Sequence, residues 1–174
     1  MIVRRFADGD RAAIAAIHSL SWQQSYREQM PPAFLDEELP SIMQQHWNNK
    51  IIREQDIVLV AEDNDKIIGF VAAWDGDPVY LDNLHVVEAY RSHGVGRCLM
   101  GETAIRARDN GRTAIDLHVV IGNDRAKALY LAMGGAVSAE ENKDLHNIPV
   151  AHYRISWPDV TTLIEHTTQS RRTA

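Results

Sequence analysis

The chain predicts a three-layer α/β domain whose central sheet is mixed, antiparallel over its first strands and parallel further on. Two apolar, β-branched runs at 56–62 and 66–74 flank Asp63-Asn64-Asp65, the composition of a hairpin turn. Beyond residue 79 the pattern becomes strand, helix, strand, helix, strand, and a short crossover of that kind implies a parallel pair around its helix. The 174 residues suit one domain with a sizeable core, and 45% hydrophobic with 24% charged residues excludes wholesale disorder.

In order, 2–6 alternates apolar with basic residues and reads as a short strand, which Asp8-Gly9-Asp10 breaks while supplying a helix cap. Ala13, Ala16, Ile17 and Leu20 stand at helical spacing and carry a helix to about Tyr26. Pro31-Pro32 interrupts, and a second helical stretch follows, broken near Pro40 and restarted at Ser41. After the hairpin come a strand at 79–87, a helix at 95–109, a strand at 113–120 and a helix at 124–133. Strands at 136–140 and 150–157 close the fold. The domain is expected to span 1–157, leaving 158–174 as a partly disordered C-terminal tail that frays from Thr167.

The charge balance, 18 basic against 24 acidic residues, argues against a nucleic-acid binder, which needs clustered Lys and Arg. A single cysteine, Cys98, excludes an internal disulfide and a Cys-rich zinc site. It is expected to face the core beside Val95 and Leu99, without a paired base. The eight histidines form no metal motif, the closest spacing being His146 to His152, so no metal is expected. No apolar run is long enough to span a bilayer, and the first eight residues carry charges where a signal peptide needs an apolar stretch. A cytoplasmic protein with no membrane contact is the expectation.

The segment from 79 to 99 carries most of the chemistry. Val79 and Leu81 are odd-numbered, whereas Leu84 and Val86 are even. A strand of period two keeps all four on one face only if a residue is inserted, so either a β-bulge lies near Asp82–Asn83 or the strand is buried on both faces. Arg91 to Arg97 then forms a glycine-containing turn that opens into an amphipathic helix. The unpaired amides and positive dipole at such a helix start bind phosphate oxygens, and Arg91, His93 and Arg97 add positive character. A dinucleotide fingerprint would need a third glycine where Leu99 stands, and the Lys of a Walker loop is absent.

Arg91-x-x-Gly94-x-Gly96, after a strand and before a helix, resembles the acyl-CoA pyrophosphate loop of the GCN5-related N-acetyltransferase (GNAT) family. Asn123-Asp124-Arg125-Ala126-Lys127-Ala128-Leu129-Tyr130-Leu131-Ala132-Met133-Gly134-Gly135 resembles that family's Asn-x-x-Ala-x-x-x-Tyr-x-x-x-Gly block, and the strand–helix order agrees from residue 1 to about 157. The resemblance implies that the bulged strand lies at the acyl-CoA site, with backbone around Leu84, His85 and Val86 pairing with the pantetheine arm. The amides of Arg91, Ser92, His93, Gly94, Val95, Gly96 and Arg97 would hold the pyrophosphate. Asn123, with Ala126, would lie near the pantetheine and Tyr130 near the thioester sulfur. Ser92 departs from the family's frequent glycine, and Gly135 stands where an aromatic is common.

Ala126, Leu129, Tyr130 and Met133 share one helix face, so Tyr130 points inward, as a core tyrosine would. Within the resembling block, its phenol is placed to protonate the departing thiolate of CoA. The acceptor nitrogen must lose a proton before it attacks, and Asp82, His85 and His118 are the candidates to take it, with Asp82 favoured as base or amine anchor. The acceptor pocket would be built from Trp22, Tyr26, Glu37, Glu38 and Trp47, with His118 and, later, Tyr153 and Trp157. Aromatic rings with carboxylates suit a small organic cation. The implied activity is acetyl transfer from acetyl-CoA to a primary amine of a small molecule, by direct attack in a ternary complex. A CoA-binding module without turnover and an unrelated nucleotide-binding domain are the alternatives, and exposed strand edges point to a homodimer.

Overall fold

The computed structural model describes residues 1–145 and 148–169. Seven strands form one sheet in the order β1-β2-β3-β4-β5-β7-β6. They are β1 (Ile2–Arg5), β2 (Ile57–Asp63), β3 (Lys66–Trp74), β4 (Val79–Val86), β5 (Ile115–Val120), β6 (Ala136–Leu145) and β7 (Ile148–Trp157). Every adjacent pair is antiparallel except β4 and β5. The helices are α1 (Arg11–Ser25), α2 (Leu39–Asn49), α3 (Val95–Asp109), α4 (Asp124–Leu131) and α5 (Val160–Gln169).

The three layers follow from strand parity. On β2, Ile57, Leu59 and Ala61 join a core with Leu99, Met100 and Ala104 of α3 and Leu163 of α5. Val58 and Val60 face the other way, into a core with Ile14 and Ile17 of α1 and Leu39, Met43 and Trp47 of α2. A strand covered on both faces reads as a continuous apolar run. The turn between β2 and β3 has Asn64 and Asp65 both at positive φ, 48° and 61°, the conformation that two-residue hairpins require.

The bulge falls on Asp82. Ala72 pairs with Asn83 and Ala73 with Leu81, so Asp82 is the extra residue. Past it the side chains change face. Val79 and Leu81 before the bulge and Leu84 and Val86 after it therefore all pack into the α3-side core.

Three expectations are corrected. Pro40 does not break the second helix. It sits in the first turn of α2, where a missing N–H costs nothing, after a π-helical turn at Phe34–Glu38. Strands β6 and β7 are longer than the apolar runs that announced them. Beyond Trp157 the chain does not go straight into a tail: α5 packs on α3 and buries Val160, Leu163 and Thr167. Residues 170–174 lie outside the described residues, as does His146.

The glycine at 135 has a packing reason. A Cβ there would stand 2.6 Å from Cζ2 of Trp157 and 2.8 Å from Cγ2 of Ile155. Both neighbours are fully buried, and the Trp157 indole is held by donating to the Met133 carbonyl at 2.9 Å. Gly135→Ala is expected to destabilise the protein by about 1–3 kcal/mol, the usual cost of overpacking, and urea unfolding reads it directly. An unchanged midpoint would mean that the Trp157 ring moves freely.

Candidate active site

The parallel ladder between β4 and β5 covers only Val79–Leu81 against Ile115–Leu117 among the described residues. Both strands continue past it, β4 to Val86 and β5 to Val120. Where they part, a cleft of about 1360 Å³ opens, with Leu81 to Val86 on one wall and Leu117 to Val120 on the other. The β5-facing edge of β4 beyond the bulge carries backbone groups free of the ladder. One of them, the Val86 carbonyl, accepts from Nε of Arg91 at 2.9 Å.

The glycine turn closes one end. Gly94 is the N-cap of α3 and takes φ 78°, a left-handed value that favours glycine. The first intrahelical bond runs from the amide of Cys98 to the Gly94 carbonyl at 2.9 Å, so the amides of Val95, Gly96 and Arg97 precede it. Ser92 also lies at positive φ, 65°, and its hydroxyl accepts from Arg125 at 3.2 Å. Arg91 ties the turn to α1 through Gln24. His93 is exposed, with Nδ1 at 2.8 Å from the Arg91 carbonyl, and is the one expected loop residue that does not line the cleft.

Opposite the turn, α4 presents Ala126, Leu129 and Tyr130. Asn123, which lines the cleft, caps this helix, its side-chain oxygen accepting from the Ala126 amide at 3.2 Å, and its NH₂ adds donor capacity. Tyr130 is 7% exposed and meets Trp157 edge-on, 6.2 Å between ring centres. Burial pushes its phenol above the ordinary tyrosine range, so it carries its proton at neutral pH. Cys98 is half-buried on α3.

The other limb of the cleft is polar and aromatic. Asp82, exposed at the bulge, accepts from Nε1 of Trp74 at 2.9 Å and from Asn83 at 3.1 Å. Trp22 and Tyr26 of α1 lie together, 4.8 Å between ring centres. Burial, and secondarily the charge of Asp82, pushes Tyr26 up to about 12. Beyond Asp82 stands a cluster that sequence reasoning identified only through His118. Tyr80 accepts from Lys143 at 2.6 Å, and His118 reaches Tyr80 at 3.3 Å and Glu141 at 3.1 Å. Glu141 lies 3.9 Å from Arg154, which holds Asp116.

His85 is turned to the α1 side, where Nδ1 meets Ser21 Oγ at 2.6 Å and its ring stacks on His18 at 4.9 Å. Its Nε2 is buried with no hydrogen-bond partner, and burial, then Arg91, lowers its pKa to about 4, which makes it a weak base. The expected acceptor residues Glu37, Glu38, Trp47, Tyr153 and Trp157 do not line the cleft. Glu37 and Glu38 are exposed on the turn before α2. Trp47 is core, donating to His18 at 3.1 Å, and Tyr153 lies beneath Lys127, 3.7 Å from its ring centre.

A central sheet parted at one parallel pair, with a helix N-terminus and a tyrosine-bearing helix at the opening, is the architecture of an acyl-CoA-dependent transferase. Residues 15–134 match the Acetyltransferase (GNAT) family, and the chain belongs to that family of N-acetyltransferases. It is 35% identical to the thialysine N-epsilon-acetyltransferase of Bos taurus over 63 residues, a match spanning 36% of this chain and only 37% of the bovine enzyme. It is 23% identical to the uncharacterized N-acetyltransferase YuaI of Bacillus subtilis, over 86% of this chain and 88% of that one. Among solved structures, PaiA N-acetyltransferase from Thermoplasma acidophilum, in complex with coenzyme A, shares the fold at a TM-score of 0.72 and 17% identity, covering 90% of this chain and 98% of that one.

Proposed function

We propose that the protein moves an acetyl group from acetyl-CoA to the primary amine of a small organic cation, by direct attack within a ternary complex. The observation that carries this reading is one cleft with two unlike ends. A helix N-terminus and Tyr130 lie toward one end, and Asp82 among Trp22, Tyr26 and Tyr80 lies toward the other. The pyrophosphate suits the amides of Val95 to Arg97, which supply donors and the positive dipole end of α3. The pantetheine amides suit the exposed edge of β4 beyond Leu81, as an added strand would.

On the acceptor side, aromatic rings and a carboxylate favour a cation. The activity that names the bovine relative, on the epsilon amine of thialysine, supports a small-molecule acceptor. Asp82 keeps acceptor capacity after its bonds to Trp74 and Asn83, because a carboxylate offers about four lone-pair sites. It anchors the ammonium and takes the proton directly or through water. Holding the amine against the thioester supplies much of the rate. Tyr130 then protonates the departing thiolate.

Calorimetric titration with acetyl-CoA, with CoA and ATP as comparators, tests the donor. Thiol release across an amine panel tests the acceptor. Intersecting initial-velocity lines are expected, and parallel lines would overturn the ternary complex. Asp82→Asn is expected to lower kcat/KM by about 10²-fold at about pH 6.5, where the amine is almost wholly protonated, and less as pH rises. Wild-type behaviour across that range would remove Asp82 from the proton path.

A further inference from the structure

The β6–β7 hairpin places one lysine at the acceptor end. Among the described residues Lys143 is the sole lysine lining the cleft. Its Nζ donates to the Tyr80 hydroxyl at 2.6 Å and lies 3.2 Å from Nδ1 of His118. An ammonium group can only donate, so Nδ1 of His118 is the acceptor in that contact. The ring proton then sits on Nε2, which donates to Glu141 Oε2 at 3.1 Å. Arg154, 3.9 Å from Glu141, steadies the far end.

The order is amine, imidazole, carboxylate: a nucleophile, the base in hydrogen-bond reach of it, and the group that orients the base. A lysine held only for structure would be expected to meet a carboxylate. Among the described residues none lies within 4.0 Å of Nζ, and its direct partners are a phenol and an imidazole. Burial also pushes Lys143 below the ordinary lysine range, which raises the fraction of neutral amine.

We propose that Lys143 is an internal acetyl acceptor, acetylated by the protein itself when acetyl-CoA is bound and no amine occupies the cleft. In the step, the Lys143 ammonium first gives up one proton through Nδ1 of His118 to water, and the lone pair of the neutral Nζ then attacks the thioester carbonyl carbon. The N–C bond forms, the C–S bond breaks, and CoA departs as a thiolate that takes a proton. The second proton lost from nitrogen also passes to Nδ1 of His118, whose imidazolium Glu141 stabilises, and then to water. No oxidation or reduction is involved. The product is an amide, which does not hand the acetyl group on, so it is an end state and not an intermediate. It removes the Lys143 charge and fills the acceptor limb, so activity falls as it accumulates.

This rests on acetyl-CoA being the donor, and the test separates the two claims. The full chain is incubated with acetyl-CoA and no amine, binding is followed by calorimetry, and acetylated peptides are followed by mass spectrometry. The expected result is an acetyl group on Lys143 appearing at least about 10-fold faster than on Lys66, which is exposed. His118→Gln is expected to slow labelling of Lys143 by about 10²-fold, leaving that of Lys66 unchanged. Lys143→Arg is expected to abolish both this label and the time-dependent loss of turnover. Acetyl-CoA binding with Lys143 labelled no faster than Lys66 overturns the self-acetylation alone. Absence of binding overturns it together with the acetyl-CoA reading.

Discussion

Tyr130→Phe is expected to lower kcat by up to about 10²-fold, about 2.7 kcal/mol of transition-state stabilisation, with acetyl-CoA affinity nearly unchanged. The substitution removes one oxygen and leaves the ring, so the edge-on contact with Trp157 and the place of Tyr130 in the α3-side core persist. The hydroxyl makes no hydrogen bond to the protein among the described residues, so its loss leaves no buried protein group unpaired. The effect stays moderate because a thiol of pKa about 8.5 yields a tolerable leaving group unaided. Burial raises the Tyr130 phenol above its ordinary value, so its proton is retained through neutral pH. Any alkaline fall in rate caused by this residue must therefore lie above about pH 10. Thiol release at saturating substrates measures the change, and an unaltered kcat would take Tyr130 out of the mechanism.

Sequence legibility follows how local each signal is. The bulge was readable because Val79, Leu81, Leu84 and Val86 change parity within eight residues, and the structure inserts Asp82 at that point. The turn before α3 was readable because a left-handed residue at 94 and an amphipathic helix from 95 are both local requirements. Helix α5 was missed: Val160, Leu163, Ile164 and Thr167 stand at i, i+3, i+4 and i+7, but polar neighbours obscured the pattern and the stretch read as a tail. The cluster around Tyr80 was not legible. Its contacts join residues 63, 38, 25 and 23 positions apart, and they depend on which face of β4, β5 and β6 turns to the cleft. The length of β6 was missed for a related reason. Glu140 to Asp144 are polar, and only their pairing with β7 makes them strand.

Acid is expected to weaken the fold well before its carboxylates titrate. The His18 and His85 rings stack 4.9 Å apart in the wall between α1 and β4, and two charged rings cannot share that place. Burial, with His85 next, holds His18 well below the ordinary histidine value. His85 is lowered to about 4. Against an unfolded value of about 6.5, that one histidine is worth about 3 kcal/mol of stability. The sign is fixed by proton counting. Below pH 6.5 the unfolded chain binds protons that the native pair refuses, so unfolding becomes easier as pH falls. The contribution is whole above about pH 6.5 and is lost by about pH 4. His46, His118 and His152 are lowered by burial as well and add in the same direction. Asp10 and Asp56, held below the ordinary carboxylate range, lose their contribution only at lower pH. Urea unfolding from neutral pH down to about pH 4.5 should show a steady decline, and His85→Gln, which cannot titrate, should flatten it. Equal slopes in the two proteins would mean that His85 is already solvated, and the burial assigned to its ring would have to be abandoned.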